Sequence, residues 1–90
     1  MVTIKSFLQF APPDGWNIIE GKLSKKFKFE NFSYSMDFVN SVAEISESMN
    51  HHPDILINYD KVTITTWTHT ENSITEKDYD LAEKINLIFE

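Results

Sequence analysis

The chain has no cysteine and no arginine, and only two glycines and three prolines among its 90 residues. Without cysteine there is neither a disulfide framework nor a thiolate metal site. Arginine is the usual phosphate fork and base reader. Its absence, with fourteen acids against eight lysines and a net charge of −6, argues against a nucleic-acid surface. No stretch approaches the ~18 apolar residues of a membrane-spanning helix. The start, from Met1 to Phe10, carries Lys5 but no apolar signal core and no small-residue cleavage site, so a soluble cytoplasmic protein is the expectation. There is no internal repeat, low-complexity run or linker.

What is present is apolar mass. Leu, Ile, Val and Phe exceed a quarter of the residues, too many for a disordered chain. A chain of this length makes one small domain, with a leader over 1–14 and a core over 15–90. It buries only ~60–65% of its unfolded surface, so its stability margin is thin and an oligomer interface would add to it.

Pro12-Pro13-Asp14-Gly15 is a turn cluster. Trp16 to Glu20 reads as a strand broken by Gly21. From Leu23 to Glu30 the pattern alternates, with Phe27 and Phe29 on one face and Lys26 and Lys28 on the other, which predicts a half-buried strand. The period then changes. Phe38, Val39, Val42, Ile45 and Met49 recur at three- and four-residue steps, predicting an amphipathic helix from about Ser35 to Asn50. Pro53 ends it near His51. Ile55, Ile57 and Tyr59 alternate with Leu56 and Asn58, and Asp60-Lys61 is the candidate turn into a second strand. There Val62, Ile64 and Thr66 alternate with Thr63, Thr65 and Trp67, so Trp67 faces away from the apolar side. Capping patterns at Ser73-Ile74-Thr75-Glu76 and Thr75-Glu76-Lys77-Asp78 open a last helix striped with Leu81, Ala82, Ile85, Ile88 and Phe89. The order ββαββα implies an α+β two-layer sandwich: a four-stranded antiparallel sheet with two helices on one face.

The candidate chemistry rests on three histidines. His51 and His52 end the first helix, and His69 ends the last strand. In this fold those ends meet at one edge of the sheet. Imidazole is the side chain best matched to proton transfer near neutral pH. A metal is the weaker reading, because adjacent side chains diverge and no His-x-x-x-His pair exists. A plain surface His-His beside a turn is the bland alternative. Against it stands the run His51-His52-Pro53-Asp54, followed by Tyr59 and then Thr68-His69. Glu47 precedes His51 by four residues, so the two are expected on one helical face, where a carboxylate and the helix C-terminus favour an imidazolium. Asp78 in the first turn of the last helix reads as a cap. Trp16 and Trp67, taken singly, read as core.

These residues together resemble the pterin-4a-carbinolamine dehydratase family. The match runs through Glu47-Ser-Met-Asn-His51-His52-Pro53-Asp54, Tyr59, Lys61-Val62-Thr63-Ile64-Thr65, Thr68-His69 and Thr75-Glu-Lys-Asp78, at the family's spacing. Gly15-Trp16 and Phe27-Lys-Phe29…Phe32 are similar too, so the resemblance covers roughly residues 15 to 89. It implies the ββαββα fold and a hydro-lyase reaction: loss of water from 4a-hydroxytetrahydropterin to give quinonoid dihydropterin, within tetrahydrobiopterin recycling. It also implies His51, His52 and His69 as catalytic imidazoles. Asn50, His51, His52, Trp67, Thr68, His69 and Thr70 fall at pterin-contacting positions, and Glu47, Asp78 and Trp16 at supporting ones. No metal or redox cofactor is implied, the pterin being the substrate. Family members form homodimers by joining sheets edge to edge, and often homotetramers through helices. One animal member doubles as a dimerisation cofactor for a homeodomain transcription factor. A non-catalytic binding or assembly module of the same fold is thus the alternative function.

The chain departs from the family in one loop. The family usually has one or two glycines between Thr-His and the last helix, and here the segment is Thr70-Glu71-Asn72-Ser73-Ile74. Asn72 tolerates a left-handed backbone moderately, Ser73 less so. The leader before Pro12 is also shorter than the N-terminal helix common in the family.

Overall fold

A computed structural model describes residues 11–89. Most of the expected leader, residues 1–10, therefore lies outside the described residues. The elements are β1 (Asn17–Ile19), β2 (Lys22–Lys28), α1 (Phe32–Met49), β3 (Asp54–Asn58), β4 (Lys61–Thr66) and α2 (Glu76–Phe89). This is the ββαββα order and the α+β class that the periodicity implies. The four strands form one antiparallel sheet in the order β1-β2-β4-β3. Among the described residues no helix is long and apolar enough to cross a membrane.

Alternation along the strands decides which face is covered. Leu23 and Phe27 of β2 and Val62, Ile64 and Thr66 of β4 are buried on one side. The two helices lie on that side, contributing Phe38 and Val42 from α1 and Leu81, Ala82 and Ile85 from α2. Phe27 is the largest fully buried side chain and packs against Trp16, Phe38 and Phe89 at centroid distances of 6.1, 4.7 and 5.0 Å. Burial of one such side chain stabilises the fold by about 1.5–3 kcal/mol.

Two local features differ from the sequence expectation, and a third adds to it. The first helix begins at Phe32, a turn earlier than Ser35, because Asn31 caps it: its side chain accepts from the Tyr34 amide at 2.9 Å. The β3–β4 hairpin turns at Tyr59-Asp60 rather than Asp60-Lys61. Asn58 pairs with Lys61, and Tyr59 takes a left-handed φ of 54°. Lys25 shares the inward face with Leu23 and Phe27. Its apolar stem lies along the core, and its amine reaches the Asp14 carbonyl at 3.1 Å and Asn86 Oδ1 at 2.9 Å. Gly15, at φ +82°, leaves room for it, since a Cβ there would stand 2.8 Å from the Lys25 side chain.

The hairpin turn is fastened by charge. Asp60 meets Lys28 at 2.6 Å and Lys61 at 3.2 Å, and its carbonyl accepts from the Phe29 amide at 2.8 Å. The Lys28 hydrogen bond, helped by Lys61 and partly opposed by desolvation, holds the Asp60 carboxyl below its ordinary 3.8. A carboxyl depressed in the folded state adds stability above its unfolded value, and that stability fades as pH falls through the folded value. Asp60→Asn is therefore expected to melt below the parent at pH 7 and to converge with it well under pH 3.8. Melting temperatures recorded across that range check this, and a gap independent of pH would contradict it.

Candidate active site

Antiparallel pairing brings the histidines to one end of the sheet. Asp54, which opens β3, pairs with Thr65 near the end of β4. The residues just before β3 and just after β4 therefore emerge together, and these are His51-His52 and Thr68-His69. How His51 points is set by the end of α1. Pro53 disfavours helix at the residue before it. Asn50 adopts a left-handed conformation, φ 52°, with its amide on the Glu47 carbonyl at 3.2 Å, and the His51 amide returns to Ser46 at 3.0 Å. This C-terminal cap turns His51 out of the helical register.

His51 then meets Asp78. Its Nε2 lies 2.6 Å from Asp78 Oδ1, with the imidazole 11% exposed and the carboxylate fully buried. Thr66 donates to the same oxygen at 2.6 Å. Thr68 donates its hydroxyl to Asp78 Oδ2 at 2.9 Å, and the Thr75 backbone amide donates there at 2.9 Å. A hydroxyl has one proton, so Thr75 donates in turn to Thr68 across 2.7 Å, and Thr75 Oγ1 accepts from the Lys77 amide at 3.3 Å. Thr75 and Asp78 cap α2 as their spacing suggested, with one half of the capping box made: Asp78 takes the Thr75 amide, while the Thr75 hydroxyl oxygen takes the Lys77 amide rather than that of Asp78. The same carboxylate that caps α2 also orients a histidine. A carboxylate oxygen accepts, as it does from its other three partners, so His51 presents Nε2–H to it, which leaves Nδ1 as the ring nitrogen that can exchange a proton.

Glu47 does not pair with His51, a correction to the helical-face expectation. It pairs with His52, Nε2 to Oε2 at 2.5 Å, on the surface with 56% and 77% of the side chains exposed. The reason is the Asn50 turn, which takes the chain off the α1 helix before His51. An exposed pair of this kind contributes about 0.2–1 kcal/mol. His69 is exposed and stacks on Trp67 with ring centroids 4.3 Å apart, while Lys22 Nζ stands 4.0 Å from the centre of the Trp67 ring. Trp67 is half-buried on the sheet face away from the helices, as its alternation indicated. Thr70 is exposed beside His69, and Asn50 is the α1 cap. Thr68 is buried with its hydroxyl committed, so that hydroxyl serves Asp78. Trp16 stands apart from this group. It is buried against Phe27 and donates Nε1–H to Asn86 at 2.9 Å.

Thr66 belongs to no motif in the sequence. The signal was there: a hydroxyl in the inward register of Val62 and Ile64 needs a buried partner. Among the described residues no cluster of three or more His, Cys, Asp or Glu is arranged to hold a metal ion.

Comparison with known proteins shows the family. Residues 2–88 match the family model described as pterin 4 alpha carbinolamine dehydratase. This chain belongs to that family. A relative from Herpetosiphon aurantiacus is 47% identical, covering 98% of this chain and 94% of its own. One from Sulfolobus acidocaldarius is 45% identical over 83% and 82%. Both carry the provisional name pterin-4-alpha-carbinolamine dehydratase, a hydro-lyase. The crystal structure of a transcriptional coactivator/pterin dehydratase from Brucella melitensis superposes with a TM-score of 0.82 at 35% identity, over 86% of this chain and 84% of that one. A pterin dehydratase-like protein identified as a RuBisCO assembly factor in the alpha-carboxysome shares the fold, with a TM-score of 0.71 at 23% identity over 83% and 89%.

The loop after His69 takes its shape without glycine. Thr68 and Ser73 pair, with the Thr68 amide on the Ser73 carbonyl at 2.8 Å, and Asn72 takes the left-handed position at φ 51°. Asn72→Ala is expected to lose about 1 kcal/mol, because a Cβ without a compensating polar group is disfavoured there, whereas Asn72→Gly should match or exceed the parent. Urea unfolding separates the two, and equal stability of the alanine variant and the parent would contradict the assignment.

Proposed function

We propose that this chain removes water from a 4a-hydroxytetrahydropterin, giving the quinonoid dihydropterin, by histidine acid–base catalysis. The observation that carries the reading is His51 held through Nε2 by a buried carboxylate, at the sheet end where His52 and His69 also emerge. Family membership supports the reaction class. Hydroxide is a poor leaving group, so the departing 4a-oxygen takes a proton. The N5 hydrogen leaves as the C4a=N5 double bond forms. One acid and one base suffice, and neither a metal nor a redox cofactor is required. His51, His52 and His69 divide these roles. Asn50, Trp67, Thr68 and Thr70 border the pterin, with Trp67 offering a flat aromatic edge beside His69. Glu47 supports His52, Asp78 supports His51, and Trp16 supports through the core.

The test is dehydration of a synthetic 4a-hydroxytetrahydropterin by purified protein against the uncatalysed rate. Activity should survive a chelator. His51→Ala or His69→Ala should each lower the rate by roughly 10²–10⁴, the weight of general acid–base catalysis, and the double variant should lose less than the product. If both single variants match the parent, the fold serves binding or assembly instead of catalysis.

We also infer a homodimer at least, and a homotetramer as the larger form. Among the described residues the sheet has two edge strands without a further partner, β1 with three exposed residues and β3 with Leu56 58% exposed. Unpaired edges invite strand addition, and a second copy along β3 would close the longer one. Sedimentation at micromolar concentration should show no folded monomer, and a stable monomer would contradict this.

A further inference from the structure

Thr66 occupies an inward position of β4 together with Val62 and Ile64, and all three are fully buried. Its Cα is fixed by pairing with Leu23, and a β-branched side chain in a strand is stiff at χ1. Its hydroxyl therefore reaches Asp78 Oδ1 from a rigid base, at 2.6 Å. That oxygen is the one His51 Nε2 meets, also at 2.6 Å. The other oxygen is held by Thr68 and the Thr75 amide. A carboxylate is a broad rotor about its last torsion. Two donors fix Oδ2 from the loop and the α2 cap, and Thr66 fixes Oδ1 from the sheet. The direction in which Oδ1 accepts from the imidazole follows from both.

We propose that Thr66 is a positioning residue, which through Asp78 Oδ1 sets the orientation of the His51 ring for proton transfer. Its effect on rate rests on the dehydratase reading above; its effect on the ring does not. Thr66→Val keeps the shape and removes the donor, and Thr66→Ser keeps the donor. In the purified full chain, the valine variant should lose about tenfold in kcat at unchanged KM, a fraction of the full weight of acid–base catalysis. The His51 ring ¹⁵N signals should move with it, and the serine variant should recover to within about threefold. In an Asp78→Ala background, which removes the acceptor, the valine change should add no further loss, since Thr66 acts only through that side chain. A lowered melting temperature with unchanged kcat would reduce Thr66 to a core contact, and a rise in KM alone would place it on the substrate. Either result overturns the proposal. Should the valine variant not fold, Thr66→Cys, a weak donor of similar size, decides, and a rate equal to the parent's overturns the proposal. An inactive parent would sink the dehydratase reading alone, and the ¹⁵N shift would still decide whether Thr66 holds the ring.

Discussion

Asp78 holds four hydrogen bonds on two buried oxygens, and the histidine end of the molecule depends on them. Removing a carboxylate from water carries a penalty of several kcal/mol even after relaxation. Each hydrogen bond to a charged group returns about 1.5–3 kcal/mol, so the site is stable only while nearly all four are made. The donors come from four places: the segment after α1, the end of β4, the loop that follows it, and the backbone at the start of α2. One side chain thus ties together the pieces that the rest of the fold delivers to one end of the sheet.

That arrangement joins stability to chemistry. The cap of α2 and the orientation of His51 use the same carboxylate, so neither can be altered without the other. The Thr75–Thr68–Asp78 chain passes hydroxyl protons in one direction, and each link polarises the next. His52 and His69 are held more lightly, by a surface carboxylate and by an indole ring. The site therefore combines one rigid imidazole with two that are accessible.

The fold was legible where local pattern decides it. The alternation of Val62, Ile64 and Thr66, and the three- and four-residue steps of Phe38, Val42 and Ile45, were enough to order the elements. Local pattern could not supply the pairing of β2 with β4 across α1 and β3, a non-local choice of partner. It also placed the hairpin corner one residue late, because Tyr59 takes a left-handed backbone that Asn or Gly would advertise. Within the site, the three histidines were visible in the sequence, and their partners were only partly so. Glu47 was assigned to the wrong ring because a single left-handed residue, Asn50, shifts the register after α1. Thr66 carries no comparable mark, because a threonine suits a strand on either face.

The most direct measurement is the unfolding free energy of Asp78→Leu by urea denaturation, a change that roughly fills the space and removes the acceptor. Loss of the acceptor leaves the His51 ring, two threonine hydroxyls and the Thr75 amide without their common partner. The expected result is a loss of about 3–5 kcal/mol, the scale for breaking a buried charged network from one side. A variant within about 1 kcal/mol of the parent would show that the histidine end is held by something other than Asp78.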